Sequence, residues 1–311
     1  MTELRKQVSV LMGTYNGARH IKEQLRSIAA QDYPHWTLTA SDDGSSDGTL
    51  GILAGFQKEW GEGRLKVVKG PGMGFCRNFL GLAMRDRTGS DYFAWADQDD
   101  VWLPSKLGRA LRLIAPYGEE LPVLYCARTR ITDASGLDQG LSPLRQTPPP
   151  GFSNAVIQSL AGANTMVFNR KARDLIAKGY HFEPVSHDWW AYQIVSGAGG
   201  MVVYDPNATV RYRQHGLNII GSNNGLMAFL GRARRAWRNG LRAMNDRNFL
   251  ALRALEGFLT APNRETLEGV LSLRSKRNPL DIRRLIKRYN IFRRSPIQQA
   301  ALYLGFMAQR V

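Results

Sequence analysis

The sequence predicts an α/β fold, a mixed and mostly parallel sheet flanked by helices on both faces, continued by a basic α-helical tail. Three observations predict it. Apolar strand-like runs alternate with helical spacing over the first 115 residues, acid- and glycine-rich turns follow the strand candidates, and the positive charge is concentrated in the last quarter of the chain.

Residues 8–12 are a short apolar, β-rich run, and residues 18–30 follow with Ile21, Leu25 and Ile28 on one helical face. Residues 36–40, 64–68 and 92–96 read as further strands. Helical patterns over 49–56, 74–84 and 103–114 complete four β-then-α units. Such a sheet binds its ligands at the carboxyl ends of the strands, so chemistry is expected there.

Further along, 123–131 reads as a strand, and the polar stretch 132–152 with Thr147-Pro148-Pro149-Pro150-Gly151 as a loop that either closes over a ligand or is simply disordered. A strand over 163–168, helices over 170–178 and 187–195, and a strand over 201–204 follow. In the tail, Phe249, Leu252, Leu255 and Leu259 share one helical face, and Leu285, Tyr289 and Phe292 another. The expected division is a domain of residues 1–225 and a basic helical region of 226–311.

Of 311 residues, 42 are Lys or Arg and 26 are Asp or Glu, a formal charge of +16. Residues 226–311 hold 18 of the cations and 5 of the acids, so the first 225 residues are close to neutral. At 43% hydrophobic the chain has material for a core, which excludes whole-chain disorder. Its two cysteines, Cys76 and Cys126, exclude a disulfide framework and a structural zinc cluster, and point to a reducing compartment. The first residues lack a signal-peptide core, and no apolar run approaches a transmembrane span. The expected location is the cytoplasm, or the cytoplasmic face of the inner membrane as a peripheral protein.

The polar residues gather at strand ends. The first strand runs into Gly13-Thr14-Tyr15-Asn16-Gly17, the second into Asp42-Asp43-Gly44-Ser45-Ser46-Asp47-Gly48-Thr49. Adjacent acids beside glycines suit recognition of an imide base and ribose hydroxyls, and they equally suit a turn with a helix cap. The fourth strand runs into Asp97-Gln98-Asp99-Asp100-Val101-Trp102. Three carboxylates in four residues repel one another unless positive charge sits among them, and Mg²⁺ or Mn²⁺, bound by one or two carboxylates with substrate phosphates, supplies it.

Together with Val8-Ser9-Val10-Leu11-Met12 and the segment Gly74-Phe75-Cys76-Arg77-Asn78-Phe79, these motifs resemble glycosyltransferase family 2, whose Rossmann-like fold is the GT-A type. The resemblance covers about residues 7–220. His187-Asp188-Trp189-Trp190 and Tyr212-Arg213-Gln214-His215 are most similar to the bacterial rhamnosyltransferase branch. It implies that Thr14, Tyr15, Asn16, Asp42 and Asp43 border the nucleotide, Asp42 nearest the base, with Arg77 and Gln98 in the same donor-binding set. Asp97 and Asp99 match the family's Asp-x-Asp motif: Asp97 would meet ribose or the metal shell, Asp99 the metal that bridges the donor diphosphate, and Asp100 either task. Asp188 aligns with the general base and His215 with a late residue that reaches the metal or diphosphate. The family's usual acidic pair is here His187-Asp188, which leaves the role of the first position open.

The implied activity is inverting, metal-dependent transfer of a sugar, L-rhamnose from a dTDP donor or another hexose from a UDP donor, onto a hydroxyl of a cell-surface polysaccharide or lipid-linked oligosaccharide. Such a reaction needs charge stabilisation at a departing diphosphate and one carboxylate to take the acceptor's proton. Trp189, Trp190 and Tyr192 read either as an acceptor-sugar platform or as the core of the helix that carries Asp188. His20, His35 and His181 are assigned no role. For the tail, with Arg232, Arg234, Arg235 and Arg238, three readings stand: an anionic membrane surface, which is favoured, a solvated helix surface, and nucleic acid, which no accompanying motif supports. A basic nucleic-acid-binding or scaffolding protein without turnover is the rival of a different class.

Overall fold

Val8–Thr14 (β1), Trp36–Asp42 (β2), Leu65–Lys69 (β3) and Tyr92–Ala96 (β4) run parallel, side by side in the order β3-β2-β1-β4, so their carboxyl ends open on one edge. The computed structural model describes residues 6–145, 147–214 and 241–311. The connecting helices are α1 (Ile21–Ala29), α2 (Thr49–Trp60), α3 (Phe75–Arg85) and α4 (Lys106–Ile114). Beyond β4 the sheet continues through β8 (Val167–Asn169), β6 (Val123–Thr132) and β9 (Met201–Arg213) to the two-residue β5 (Val101–Trp102), with β7 (Asp138–Leu141) beside β6. β8, β5 and β7 pair antiparallel and β6 with β9 parallel, which makes the sheet mixed but mostly parallel, as expected.

Strand alternation sends residues to two cores. Val10 and Met12 of β1 with Ala94 and Ala96 of β4 pack under α1, α2 and α4. Leu11, Phe93 and Trp95 face the other way, into a larger core covered by α3, α5 (Phe152–Ala155), α6 (Arg170–Ala177) and α7 (His187–Gly197). Burial on both faces explains the near-continuous apolar reading of these strands.

The tail joins this second core. Helices α8 (Leu241–Ala254), α9 (Ala261–Leu273), α10 (Pro279–Arg288) and α11 (Pro296–Met307) contribute Phe249, Leu252, Leu267, Ile282, Ile286 and Phe306 to the cluster that holds Trp95 and Trp190. The expected boundary at residue 225, and Arg232, Arg234, Arg235 and Arg238, lie outside the described residues. Among the described residues no helix is long and apolar enough to cross a membrane.

Several expected elements shift. The stretch 132–152 contains β7 and ends at the first residue of α5, and the strand expected over 163–168 opens as a 3-10 turn, Ala163–Thr165. The strand expected over 201–204 runs on to Arg213, through register shifts opposite Ala127 to Thr129 that absorb Pro206. In α10 the buried residues are Ile282 and Ile286, while Leu285 and Tyr289 lie at the edge of that face.

Candidate active site

The turns after β1 and β2 are stitched together. Asn16 adopts a left-handed backbone with φ of 50°, a conformation asparagine tolerates. Its N–H donates to Ser45 Oγ at 2.8 Å and its Oδ1 accepts from Ser46 N at 2.8 Å. Gly17 N donates to Thr49 Oγ1. Thr14 and Asp42 are buried and satisfy each other: Thr14 Oγ1 donates to Asp42 Oδ1 at 2.9 Å, and Asp42 Oδ2 accepts from the N–H groups of Gly44 and Ser45. Asp43 reaches across to the turn after β3, accepting from Gly72 N at 2.7 Å and Gly74 N at 2.8 Å. A Cβ at Gly70 would stand 2.7 Å from Asp43 Oδ1 and 2.9 Å from the Asp42 carbonyl oxygen, so that turn admits only glycine without displacement. Both acids therefore do the work of the turn reading. Tyr15, 59% exposed, presents its ring at the mouth of this edge.

Gln98 locks the β4 turn to the β1 turn. Its Oε1 accepts from Tyr15 N and its Nε2 donates to Tyr15 O, each at 2.8 Å, a two-way amide pair. A Cβ on Gly17 would lie 2.2 Å from that Oε1, so the pair depends on glycine there. Gln98 thus reaches Tyr15 through its backbone.

The acids after β4 are set differently. Asp97 is half-buried, and among the described residues its carboxylate accepts no hydrogen bond. Loss of water, then the carboxylates of Asp100, Asp99 and Asp188, push its pKa well above the usual carboxylate range, with Lys106 pulling the other way. Asp100, 1% exposed, is pushed up to about 7 by burial and then by Asp99. Hydrogen bonds from Asn164 Nδ2 at 2.5 Å and Arg213 N at 3.2 Å counter that rise. Asp99 offers its backbone oxygen to Arg213 Nε at 3.2 Å.

Two cations serve this cluster that sequence reasoning missed. Lys106 is fully buried, donates to Asn164 O at 2.7 Å and lies 3.3 Å from the centroid of Trp102. Desolvation holds its pKa well below the ordinary lysine value, opposed by Asp100 and Asp97. Arg213 pairs with Glu23 at 2.5 Å while bonding Asp99 and Asp100. A signal for Lys106 existed: it lies four residues before Ala110, the same helical side as the buried Ala110 and Ile114, and a lone cation on an apolar face beside an acidic turn needs a partner.

The donor set fits a hard divalent cation. Among the described residues no three carboxylate, histidine or cysteine side chains gather into a complete metal site. Mg²⁺ or Mn²⁺ needs none, since it takes one or two carboxylates and completes its shell with phosphates and water. Asp97, without a hydrogen-bond donor and surrounded by acids, suits that role with Asp99. His215 lies outside the described residues.

Asp188 heads α7 and stands close enough to Asp97 to raise its pKa. Burial raises Asp188 itself, against hydrogen bonds from Ser186 and from Trp189 N at 2.7 Å. Its neighbour His187 is packed in the core, stacked on Phe79 at 4.2 Å between centroids and edge-on to Trp95 at 4.7 Å. Both its ring nitrogens are buried without a hydrogen-bond partner, and burial lowers its pKa to about 3, so it is a neutral spacer. The platform reading of Trp189, Trp190 and Tyr192 is corrected: all three are buried, with Trp189 Nε1 on Ala155 O, Trp190 Nε1 on Ile176 O and Tyr192 Oη on Gly151 O. Arg77 turns to the segment that precedes Asp188, pairing with Glu183 and lying over the Tyr180 ring at 4.8 Å. The tail holds the same segment: Arg247 donates to the carbonyls of Glu183 and Pro184, and Asn248 Oδ1 accepts from Val185 N at 2.9 Å.

A family model described as Glycosyl transferase family 2 matches residues 9–174. The chain is 27% identical over 243 residues to the dTDP-rhamnosyl transferase RfbG of Shigella flexneri, covering 73% of this chain and 80% of that protein. It is 29% identical over 100 residues, 32% of this chain and 38% of the relative, to the UDP-Glc:alpha-D-GlcNAc-diphosphoundecaprenol beta-1,3-glucosyltransferase WfgD of Escherichia coli. Among solved structures, the mannosyltransferase PcManGT from Pyrobaculum calidifontis, in complex with GDP-Man and Mn2+, superposes with a TM-score of 0.55 at 18% identity over 98% of this chain and 84% of that one. That likeness establishes the GT-A-type fold.

Proposed function

The chain belongs to glycosyl transferase family 2, and on that premise we propose that it transfers L-rhamnose, with inversion, from a dTDP-linked donor to a hydroxyl of a cell-surface polysaccharide or lipid-linked oligosaccharide. The observation that carries the reading is the facing of Asp188 and the Asp97–Asp100 cluster at the carboxyl edge of the sheet: a water-poor carboxylate stands beside a cluster of like charges that buried Lys106 offsets only in part. The Shigella relative's name supports the rhamnosyl donor, and the diphosphoundecaprenol in the E. coli relative's name supports a lipid-linked acceptor.

Asp188 takes the proton of the acceptor hydroxyl, and burial makes it a stronger base than a solvated carboxylate. The acceptor oxygen bonds to the anomeric carbon as the bond to the diphosphate oxygen breaks, which inverts that carbon. Asp99 and Asp97 would hold a divalent cation, which would supply Lewis-acid stabilisation of the leaving diphosphate. The Tyr15 ring and the turns bearing Thr14, Asn16, Asp42 and Asp43 border the nucleotide, and Gln98 holds the β1 turn in register with the β4 turn. The basic region places the enzyme at an anionic membrane surface, where a lipid-linked acceptor resides.

Calorimetry with dTDP and UDP, with and without Mn²⁺, tests the reading. Tight binding of dTDP that depends on Mn²⁺ is expected, a preference for UDP moves the donor to a UDP-hexose, and no nucleotide binding sinks the enzyme reading. Asp188→Asn should lower transfer by about 10²–10⁴-fold while leaving nucleotide affinity in place; a matching loss of affinity would make Asp188 structural.

A further inference from the structure

We propose that the outward faces of α10 and α11 form one docking surface for an anionic lipid bilayer. The proposal deepens the membrane location given above and rests on that reading for the position of the acceptor.

Both helices lie on the same core, α10 through Ile282 and Ile286 and α11 through Leu302 and Phe306, and they pack against each other. Their opposite faces are turned away from that core and exposed. The outer face of α10 carries Arg283, Arg284, Lys287 and Arg288, all exposed, with Leu280 70% exposed among them. Lys276 and Arg277 precede it, so residues 276–288 hold six cations and one acid, Asp281. The outer face of α11 has the opposite character. At helical spacing it presents Ile297, Ala300, Ala301 and Leu304, with Ile297 70% and Leu304 53% exposed and no charge between them.

A cationic helix face beside an apolar one matches the interface of an anionic bilayer, whose headgroups attract Lys and Arg while its acyl boundary receives the apolar stripe. A second copy of the chain fits less well. A two-fold interface sets the same patch against itself and would bring the cation-rich rows of α10 together with one acid apiece to offset them. Nucleic acid would use the cations and leave the α11 stripe in water.

The test is co-sedimentation of the full chain with vesicles rich in phosphatidylglycerol and with vesicles of phosphatidylcholine alone. Wild type should partition at least about tenfold more strongly onto the anionic vesicles at low salt. Arg283→Glu with Lys287→Glu should lower that binding about tenfold or more, since each cation near the surface is worth roughly fivefold. Ile297→Ser with Leu304→Ser should lower the fraction that stays bound at high salt. Unchanged melting temperature and unchanged dTDP affinity in both pairs show that fold and donor site persist. Equal binding by wild type and both variant pairs would overturn the proposal. So would a wild-type dimer in light scattering that Ile297→Ser with Leu304→Ser converts to monomer, or displacement of the chain from vesicles by RNA but not by equivalent salt. Vesicle binding without nucleotide binding would uphold the surface and defeat the transferase reading; the converse would do the reverse.

Discussion

Asp42-Asp43 after β2 and Asp97 to Asp100 after β4 look alike as sequence, two acidic turns at the ends of parallel strands, and the fold treats them in opposite ways. The first pair is supplied with donors: Thr14, Gly44 and Ser45 for Asp42, Gly72 and Gly74 for Asp43. In the second, Asp97 accepts no hydrogen bond among the described residues, and Asp100, although Asn164 and the Arg213 N–H donate to it, is held up near neutrality by burial and Asp99. A carboxylate whose lone pairs are spent on the backbone builds a turn. One left with unspent lone pairs and like-charged neighbours holds capacity for a cation.

The largest way to test this contrast is in turnover. Asp99→Asn should lower transfer by about 10²–10³-fold, the range for removing one preorganised charge stabiliser, and should abolish the Mn²⁺ dependence of dTDP binding. Asp43→Asn, whose amide keeps one acceptor oxygen for the 72–74 turn, should leave that Mn²⁺ dependence intact; equal loss in both would erase the distinction.

Stability should separate the pairs by sign. Asp42→Ala strands a buried hydroxyl and two N–H groups and should cost about 2–3 kcal/mol in urea unfolding. Asp97→Asn removes a like charge and no hydrogen bond, so in metal-free buffer at pH 8 it should raise the urea midpoint of unfolding. The pH sign follows from the raised pKa: folded Asp97 binds its proton more tightly than unfolded Asp97. Wild type therefore loses stability as pH rises from the ordinary carboxylate range through the folded value, and Asp97→Asn should show a shallower loss. Added Mn²⁺ should raise the melting temperature of wild type more than that of Asp97→Asn. A destabilised Asp97→Asn would mean that its carboxylate has a structural partner.

The smallest expected effect concerns His187, whose depressed pKa has the other sign. The unfolded chain binds a proton near pH 6.5 that the folded chain refuses, so stability contributed by the neutral ring is lost as pH falls below that value. His187→Phe should reduce the loss between pH 7 and pH 5 by about 2 kcal/mol and keep transfer within a fewfold of wild type. A much larger loss of activity would show that an imidazole nitrogen is needed at the site.

The four β-then-α units and the gathering of acids at their carboxyl ends were legible because period and turn chemistry are local. What was not legible depends on pairing across the sheet. β5 is two residues long and exists because β9 passes beside it, and β9 outruns its apolar stretch because β6 pairs with it to Arg213. Arg213 is not assigned a site role until that pairing brings it to Asp100, whereas the helical position of Lys106 beside Ala110 and Ile114 was a signal left unread. The fate of Trp189 and Trp190 was open because α7 is apolar on almost every side, which gives no face to choose, and such a helix belongs inside. His187 read as a departure from an acidic pair, and the fold shows why an aromatic ring is accommodated: Phe79 and Trp95 already line the space.

The grip of Arg247 and Asn248 on residues 183–185 has a consequence for how the enzyme would sit at a surface. The helices that carry the outer cationic and apolar faces share one packed core with the residues behind Asp188. Contact with a plane would then fix the pose of the whole body, including the tilt and height of the catalytic edge above it. Reach, set by how far an acceptor's hydroxyl projects from its anchor, becomes a selection rule alongside sugar identity, and grafting this tail onto another transferase would carry over a foundation without the building that was squared to it.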